Sequence, residues 1–244
     1  MRLLVSVSNS AEALAAMSGG ADIIDAKDPL AGPLGPVSSA RFCEIAEAIG
    51  GARPVTAALG DATDGIAIES AARATVAAGA VLVKVGFSGV SAVARATSLL
   101  EAAVSGAKEG GRERVDRSPL GQAGVVAVAY ADHHRATSLA PASLTAAAVR
   151  AGVRGMLLDT FDKSGPGLRQ LMSFEELSDW VANAHRSGLL VAVAGRLTAD
   201  DLFWVRSSGA DVAGVRGAAC DGGRTAPIAQ NRVQALRRLC GAQT

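Results

Sequence analysis

Short runs of Val, Ile, Leu and Ala alternate along this chain with longer alanine-rich stretches whose apolar positions recur every three or four residues. The short runs predict eight strands: Leu3 to Ser6, Ile23 to Ala26, Val55 to Ala58, Val81 to Val85, Gly124 to Ala129, Gly155 to Leu158, Leu189 to Ala194 and Val212 to Val215. The stretches between them predict helices over Ala11 to Met17, Ser39 to Ile49, Ile68 to Ala78, Ser91 to Ala107, Leu139 to Arg150, Ser173 to Ser187, Ala199 to Ser208 and Ile228 to Leu239. Strict strand-then-helix alternation predicts a parallel sheet, and eight such units predict its closure into an α/β fold of the (β/α)8 TIM-barrel type, one domain over residues 1–244. The rival, a doubly wound open sheet for a dinucleotide, lacks its glycine fingerprint, because the chain after the first strand reads Val7-Ser8-Asn9-Ser10.

Helix ends sharpen the pattern. Ser10, Ser38, Ser91, Ser173 and Thr198 stand where a side-chain oxygen would accept the first free backbone N–H groups. Gly19, Gly50, Gly79, Gly152, Gly188 and Gly209 stand where a left-handed residue would end a helix. A phrase recurs at the joints: Gly20-Ala21-Asp22, Gly79-Ala80-Val81, Gly152-Val153-Arg154 and Gly209-Ala210-Asp211, as a repeated βα unit requires. Gly106 to Gln122 breaks the pattern, being glycine-rich and mixed in charge, and it predicts a solvated loop before the fifth strand.

Three apolar runs end in charge: Ile23-Ile24-Asp25-Ala26-Lys27, Val81-Leu82-Val83-Lys84-Val85 and Met156-Leu157-Leu158-Asp159. Buried strands do not carry unpaired charges cheaply, and in a barrel these ends converge on the mouth where such enzymes keep their chemistry. Strand alternation puts Asp25 and Lys27 on one face. A lysine removed from water and set near another cation, here Lys84, is biased to its neutral amine, which attacks carbonyls. Asp25 opposes that bias unless it is uncharged, turned away or used as a relay. Asp159, from the sixth strand, faces the second strand across the mouth as an acid and base, with Lys163 behind it and Asp132 as a weaker candidate. The plainer reading is a ring of salt bridges that ties the barrel loops together. After the seventh and eighth strands, Gly195-Arg196 and Arg216-Gly217 stand where barrels often hold phosphate on glycine amides, although the same glycines would serve tight turns.

Composition narrows the partners. Lys and Arg number 24 against 23 Asp and Glu, a formal charge of +1, so no global field favours nucleic acid or an anionic membrane. No apolar run approaches the ~20 residues of a spanning helix, and the apolar N-terminus is too short for a signal peptide. Cytoplasmic placement is the expectation. Cys43, Cys220 and Cys240 are odd in number and widely spaced, and His133 and His134 are adjacent, so neither set predicts a metal site or a disulfide. No cofactor is expected. Trp180 and Trp204 read as packing residues, and the helices leave a homo-oligomer open.

The chain resembles the (5-formylfuran-3-yl)methyl phosphate synthase family in an ordered set of motifs: Gly19-Gly20-Ala21-Asp22-Ile23-Ile24-Asp25-Ala26-Lys27-Asp28-Pro29, Gly32-Pro33-Leu34-Gly35, Gly60-Asp61, Val83-Lys84-Val85-Gly86, Tyr130-Ala131-Asp132, Leu158-Asp159-Thr160, Ala194-Gly195 and Gly214-Val215-Arg216-Gly217-Ala218-Ala219-Cys220. The resemblance implies a barrel lyase that joins two molecules of glyceraldehyde 3-phosphate into a furan phosphate, with loss of phosphate and water, towards the furan ring of methanofuran, a carrier of one-carbon units. It implies Lys27 as the Schiff-base lysine, Asp25, Lys84 and Asp159 as its acid and base partners, and Lys163 as a further site lysine. On this expectation Lys27 forms an imine with one triose, whose enamine attacks the second triose aldehyde. Two positions depart from the family: Gly165-Pro166-Gly167 replaces a segment with a second lysine, and Arg196 replaces a small residue. Another lysine-dependent aldolase or isomerase on a sugar phosphate, or a barrel that only binds a phosphorylated metabolite, would share the same charged mouth.

Overall fold

The computed structural model describes residues 1–112 and 122–241. Its eight strands are β1 (Arg2–Val7), β2 (Ile23–Ala26), β3 (Val55–Asp61), β4 (Leu82–Gly86), β5 (Gly124–Tyr130), β6 (Gly155–Asp159), β7 (Leu190–Val193) and β8 (Val212–Val215). They pair in chain order, all parallel, and β8 returns to β1 through Arg2 with Val212 and Val5 with Val215, which closes the barrel. Around it run α1 (Ser10–Ser18), α2 (Ser39–Ile49), α3 (Gly65–Ala77), α4 (Val93–Arg112), α5 (His133–Ala136), α6 (Pro141–Ala151), α7 (Leu168–Leu171), α8 (Phe174–Arg186), α9 (Asp201–Ser207) and α10 (Gln230–Gly241). The expected single (β/α)8 barrel is therefore the observed architecture, with α5 and α7 as short additions in the loops after β5 and β6.

Strand alternation divides the interior in two. Leu4, Ile23, Leu82, Val126, Leu157, Ala192 and Val212 point inward and pack with one another inside the barrel. Their neighbours Val5, Ile24, Val83, Val125, Leu158, Val191 and Ala213 point outward and merge with the helix faces into the larger core. Both layers need apolar side chains, which is why the strands read as continuous apolar runs. Trp180 is buried on α8, its indole N–H donating to the Thr145 hydroxyl at 3.2 Å, and Trp204 packs half-buried against the core.

Several local expectations shift by a residue or two. Ser38 caps α2, and Ser173 caps α8 in a reciprocal box with Glu176. Asn9, not Ser10, caps α1, because its side-chain oxygen reaches the Glu12 amide. Asp64 caps α3, which starts ahead of the expected Ile68, and Asp200 rather than Thr198 precedes α9. After α1 the positive φ belongs to Gly20, while Gly19 stays right-handed and lets the α10 backbone at Gln230 come close. The repeated Gly-Ala-Asp phrase has a shared role: Asp22 accepts from the Leu3 amide at 2.8 Å, and Asp211 accepts from the Val191 amide at 2.8 Å. Each carboxylate thus fastens the start of its own strand to a neighbouring strand.

The segment from Gly106 needs correction. Residues through Arg112 continue α4; of the rest of the expected loop, 113–121 lie outside the described residues and Gln122 is a bend before β5. Gly106 and Gly110 do not break the helix; they bring its backbone against the carbonyls of Glu69 and Arg73 on α3, where a Cβ would stand 2.0 and 2.4 Å from those oxygens.

Candidate active site

A cavity of about 530 Å³ opens at the C-terminal ends of the strands. Among the described residues its wall carries seven cations, Lys27, Lys84, Lys163, Arg196, Arg216, Arg224 and Arg232, against one carboxylate, Asp159. Such a wall favours an anionic ligand. Its floor is apolar, formed by the inward layer of Leu4, Ile23, Leu82, Val126 and Leu157.

Register builds the first charged cluster. Ser6 on β1 lies beside Asp25 on β2, and Asp25 beside Thr56 on β3. The three inward side chains meet: Ser6 Oγ donates to Asp25 at 2.8 Å and Thr56 Oγ1 at 2.7 Å, while Lys84 Nζ reaches the same carboxylate from β4 at 2.5 Å. Asp25 is fully buried and Lys84 nearly so, so three donors replace the water that the carboxylate has lost. The hydrogen bonds of Asp25 thus go to Ser6, Thr56 and Lys84.

Lys27 follows β2 directly, on the inward face shared by Ile23 and Asp25, and is only 8% exposed. Among the described residues no oxygen pairs with its amine. Burial lowers its pKa from 10.5 to about 7; Asp159 and Asp25 pull it upward, and the cations Lys84 and Lys163 push it down. Near neutral pH about half of this amine is unprotonated.

Asp159, at the end of β6, forms the second cluster. Its Oδ1 accepts from Lys163 Nζ at 2.6 Å and from the Thr160 amide at 2.7 Å. Burial raises its pKa, but Lys163 and Lys27 outweigh burial and hold the carboxyl below its usual range. Of the four residues expected to gather, Lys27, Lys84 and Asp159 line one mouth, and Asp25, fully buried, sits behind it as the partner of Lys84. Asp132 does not join them as a ligand group: its two oxygens are taken by the amides of Phe161 at 2.6 Å and Asp162 at 2.9 Å, so it shapes the loop that presents Lys163.

Across the mouth, Gly195, Arg196 and Gly217 line the cavity after β7 and β8. Arg196 is exposed and holds a left-handed backbone, φ 59°, uncommon for a residue with a side chain. The expectation that Arg216 grips phosphate bidentately is corrected. Its guanidinium already grips Glu12 of α1 at 2.9 and 3.1 Å, donates to the Ser6 carbonyl at 3.0 Å and, through Nε, to the Arg224 carbonyl at 2.7 Å. Four of its five N–H groups are spent on the protein. Glu12 also accepts from the Ser8 amide and hydroxyl, and although burial raises its pKa, Arg216 and Ser8 bring it below the ordinary value.

Arg224, from the same loop, lines the cavity as well. Its backbone is fastened by Arg216, and its side chain reaches along the rim, past β1, to the loop after β2, donating to the Pro29 carbonyl at 2.6 Å and the Gly32 carbonyl at 2.8 Å. Its only sequence signal is the flanking Gly222-Gly223, a turn signature rather than a ligand signature. Ser6 and Thr56 were equally unmarked, since a hydroxyl at a strand end has no meaning until register is known. A further pair flanks the site: the buried Tyr130 donates through Oη to half-buried Asp61 at 2.8 Å, and burial, followed by the Asp61 charge, raises the phenol pKa. Gly86 makes room for it, because a Cβ there would lie 2.3 Å from the Asp61 oxygen and 2.6 Å from Tyr130 Oη. Among the described residues no group of three or more His, Cys, Asp or Glu could hold a metal ion, and no helix is long and apolar enough to cross a membrane.

Comparison with known proteins adds to this geometry. Residues 3–237 match the protein family described as 4-HFC-P synthase. A (5-formylfuran-3-yl)methyl phosphate synthase of Methanosarcina mazei is 37% identical, covering 99% of this chain and 100% of that protein. One from Methanopyrus kandleri is 39% identical over 91% of this chain and 90% of that protein. Among solved structures, a 3-hexulose-6-phosphate synthase is similar with a TM-score of 0.62 at 20% identity, covering 97% of this chain and 99% of that one. A KGPDC from Streptococcus mutans gives 0.64 at 16% identity over 98% of this chain and 99% of that one. At those identities the structures speak for the fold alone.

Proposed function

The chain belongs to the 4-HFC-P synthase family, and from that premise we propose that it condenses two triose phosphates into (5-formylfuran-3-yl)methyl phosphate through an imine on Lys27. The observation that carries this reading is the buried Lys27 amine, with a pKa of about 7, set between the Asp25–Lys84 and Asp159–Lys163 pairs inside a cationic mouth. A neutral amine adds to a carbonyl, and the resulting iminium is the electron sink that the later steps need. Asp159 is the general acid and base, because its charge reaches Lys27 across the mouth; Lys163 anchors it. Lys84 and Asp25 fix the opposite wall and keep a cation near the amine.

Atom balance supports the scheme: two triose phosphates equal the furan phosphate plus one inorganic phosphate and two waters. Carbon counting also refines the expected bond. In this product C3 of the triose that loses phosphate is joined to C2 of the triose that keeps it, so attack on the second triose's aldehyde carbon would build a different skeleton. The simplest route has proton loss at C2 of the Lys27 imine, expulsion of phosphate from C3, and attack of that C3, now the carbon terminus of the C2 enol, on C2 of a second triose in its keto form, which leaves a ketone at C2 of the first. Ring closure and two dehydrations follow. The reading places the enzyme in the cytoplasm, where triose phosphates are, in the making of a methanofuran-type cofactor.

Incubation with glyceraldehyde 3-phosphate tests this. Release of inorganic phosphate together with a furan chromophore is the expected result, and borohydride should fix substrate to Lys27. Full activity in Lys27→Ala would overturn the imine; carbon–carbon bond formation without inorganic phosphate would replace the furan synthase by another lysine-dependent aldolase.

A further inference from the structure

Beside the mouth lies a second hollow, of about 550 Å³, between the loop after β2 and the loop after β6. Leu30 and Phe161 supply its apolar faces, and among the described residues Arg135, Lys163 and Arg224 supply three cations against the single carboxylate of Asp162. Lys163 and Arg224 line the mouth cavity as well, so the two hollows share a wall made of those two cations.

The charge of Asp162 is already answered from its own loop, where Ser164 Oγ and the amides of Ser164 and Gly165 donate to one oxygen while Arg135 pairs with the other. Arg224 commits two of its five N–H groups to the Pro29 and Gly32 carbonyls, and Arg216 fixes its backbone. It is thus a rigid donor with N–H groups to spare, at the boundary of the two hollows. A condensation of two phosphate esters has an electrostatic difficulty that such a boundary resolves. Two doubly charged phosphates ~6 Å apart repel by roughly 3 kcal/mol even at the dielectric constant of water, and by more in a partly enclosed mouth. Separate subsites with shared cations between them turn that repulsion into attraction to the wall.

We propose that the lateral hollow is a phosphomonoester subsite: it receives the phosphoryl group of the triose phosphate that is not bonded to Lys27, held by Arg135 on the outer side and by Lys163 and Arg224 on the inner side. The assignment rests on the two-triose reading above. Leu30 and Phe161 then cover the ester's carbon chain, which places its reactive carbons at the mouth and its charge outside it.

Arg135→Gln tests the subsite, since the Arg135 side chain is 63% exposed and its loss leaves the barrel core untouched. In a titration of furan formation against glyceraldehyde 3-phosphate, the variant should need about tenfold more substrate for half-maximal rate, with the saturating rate falling less than that; Arg135→Lys should recover most of the loss. Borohydride trapping of the first triose on Lys27 should persist. An unaltered substrate dependence in Arg135→Gln overturns the subsite, as does a loss of trapping equal to the loss of turnover. Calorimetric titration with inorganic phosphate is an arm that needs no turnover: two sites are expected in the wild type and one in Arg135→Gln. Retention of both sites in the variant overturns the subsite while the condensation stands, whereas failure of the wild type to trap triose overturns the condensation and leaves calorimetry to decide the subsite.

Discussion

Replacing Lys27 by Met should abolish imine trapping and yet make the protein more stable below neutral pH. The magnitude follows from the depressed pKa: a fall from 10.5 to about 7 means that folding disfavours the protonated amine by about 5 kcal/mol. The sign is set by linkage. Between pH 7 and 10.5 the unfolded chain holds a proton at Lys27 that the folded chain has lost, so stability rises with pH across that window. Below pH 7 both states are protonated and the whole penalty is present; above 10.5 it is gone. Met has a similar volume and no charge to bury, so it removes the penalty with little change in packing. Five kcal/mol is a ceiling, and even a third of it should raise Tm by roughly 3–6 °C in a chain of this size. Urea denaturation of both proteins at pH 6, 8 and 10 is the assay, with the gain largest at pH 6 and shrinking towards pH 10. A variant that is less stable at pH 6, or whose difference from wild type ignores pH, would refute the claim that this amine is buried against its charge.

Other consequences are as specific. If the neutral amine is the nucleophile, kcat/KM should rise about tenfold per pH unit up to about pH 7 and then level off; a limb centred near 10 would contradict the depressed amine. Asp25→Asn leaves the Lys84 ammonium buried without its counter-charge and should cost about 3–5 kcal/mol in urea unfolding, so a loss under about 1 kcal/mol would show the pair to be dispensable. Glu12→Gln strands Arg216 in the same way and loosens the backbone of Arg224; stability should drop by a similar ~3 kcal/mol and half-saturation should move to higher triose phosphate, whereas unchanged kinetics would disconnect Arg216 from the mouth. Gly86→Ala drives a methyl group into Asp61 and Tyr130 and should cost about 1–3 kcal/mol by thermal unfolding; a neutral outcome would mean that the pair relaxes freely.

The central cluster was legible because it lies on strands. Asp25, Lys27, Lys84 and Asp159 stand at or just past the ends of apolar runs, and alternation by itself fixes which of their neighbours face the same way. The loop after β8 was not legible in this manner. Arg216 and Arg224 are both arginines beside glycines in one turn-rich segment, and nothing local distinguishes a guanidinium that grips Glu12 from one that fastens the loop after β2. Gly106 and Gly110 misled for the opposite reason: glycine in a polar stretch signals a loop, but here the missing side chains allow α4 to lie on the α3 backbone.

What the chain determines on its own is therefore the periodic part: eight βα units, a closed parallel sheet, and a mouth with charged strand ends, all consequences of side-chain alternation and helix periodicity that act over a few residues. Only closure of the barrel decides the pairing of those charges. Arg216 meets Glu12 across 204 positions and Lys84 meets Asp25 across 59, and long flexible side chains take whichever partner the strand register delivers. Burial, and with it the shift of one lysine to a usable amine, exists only once the eight strands have excluded water from between them.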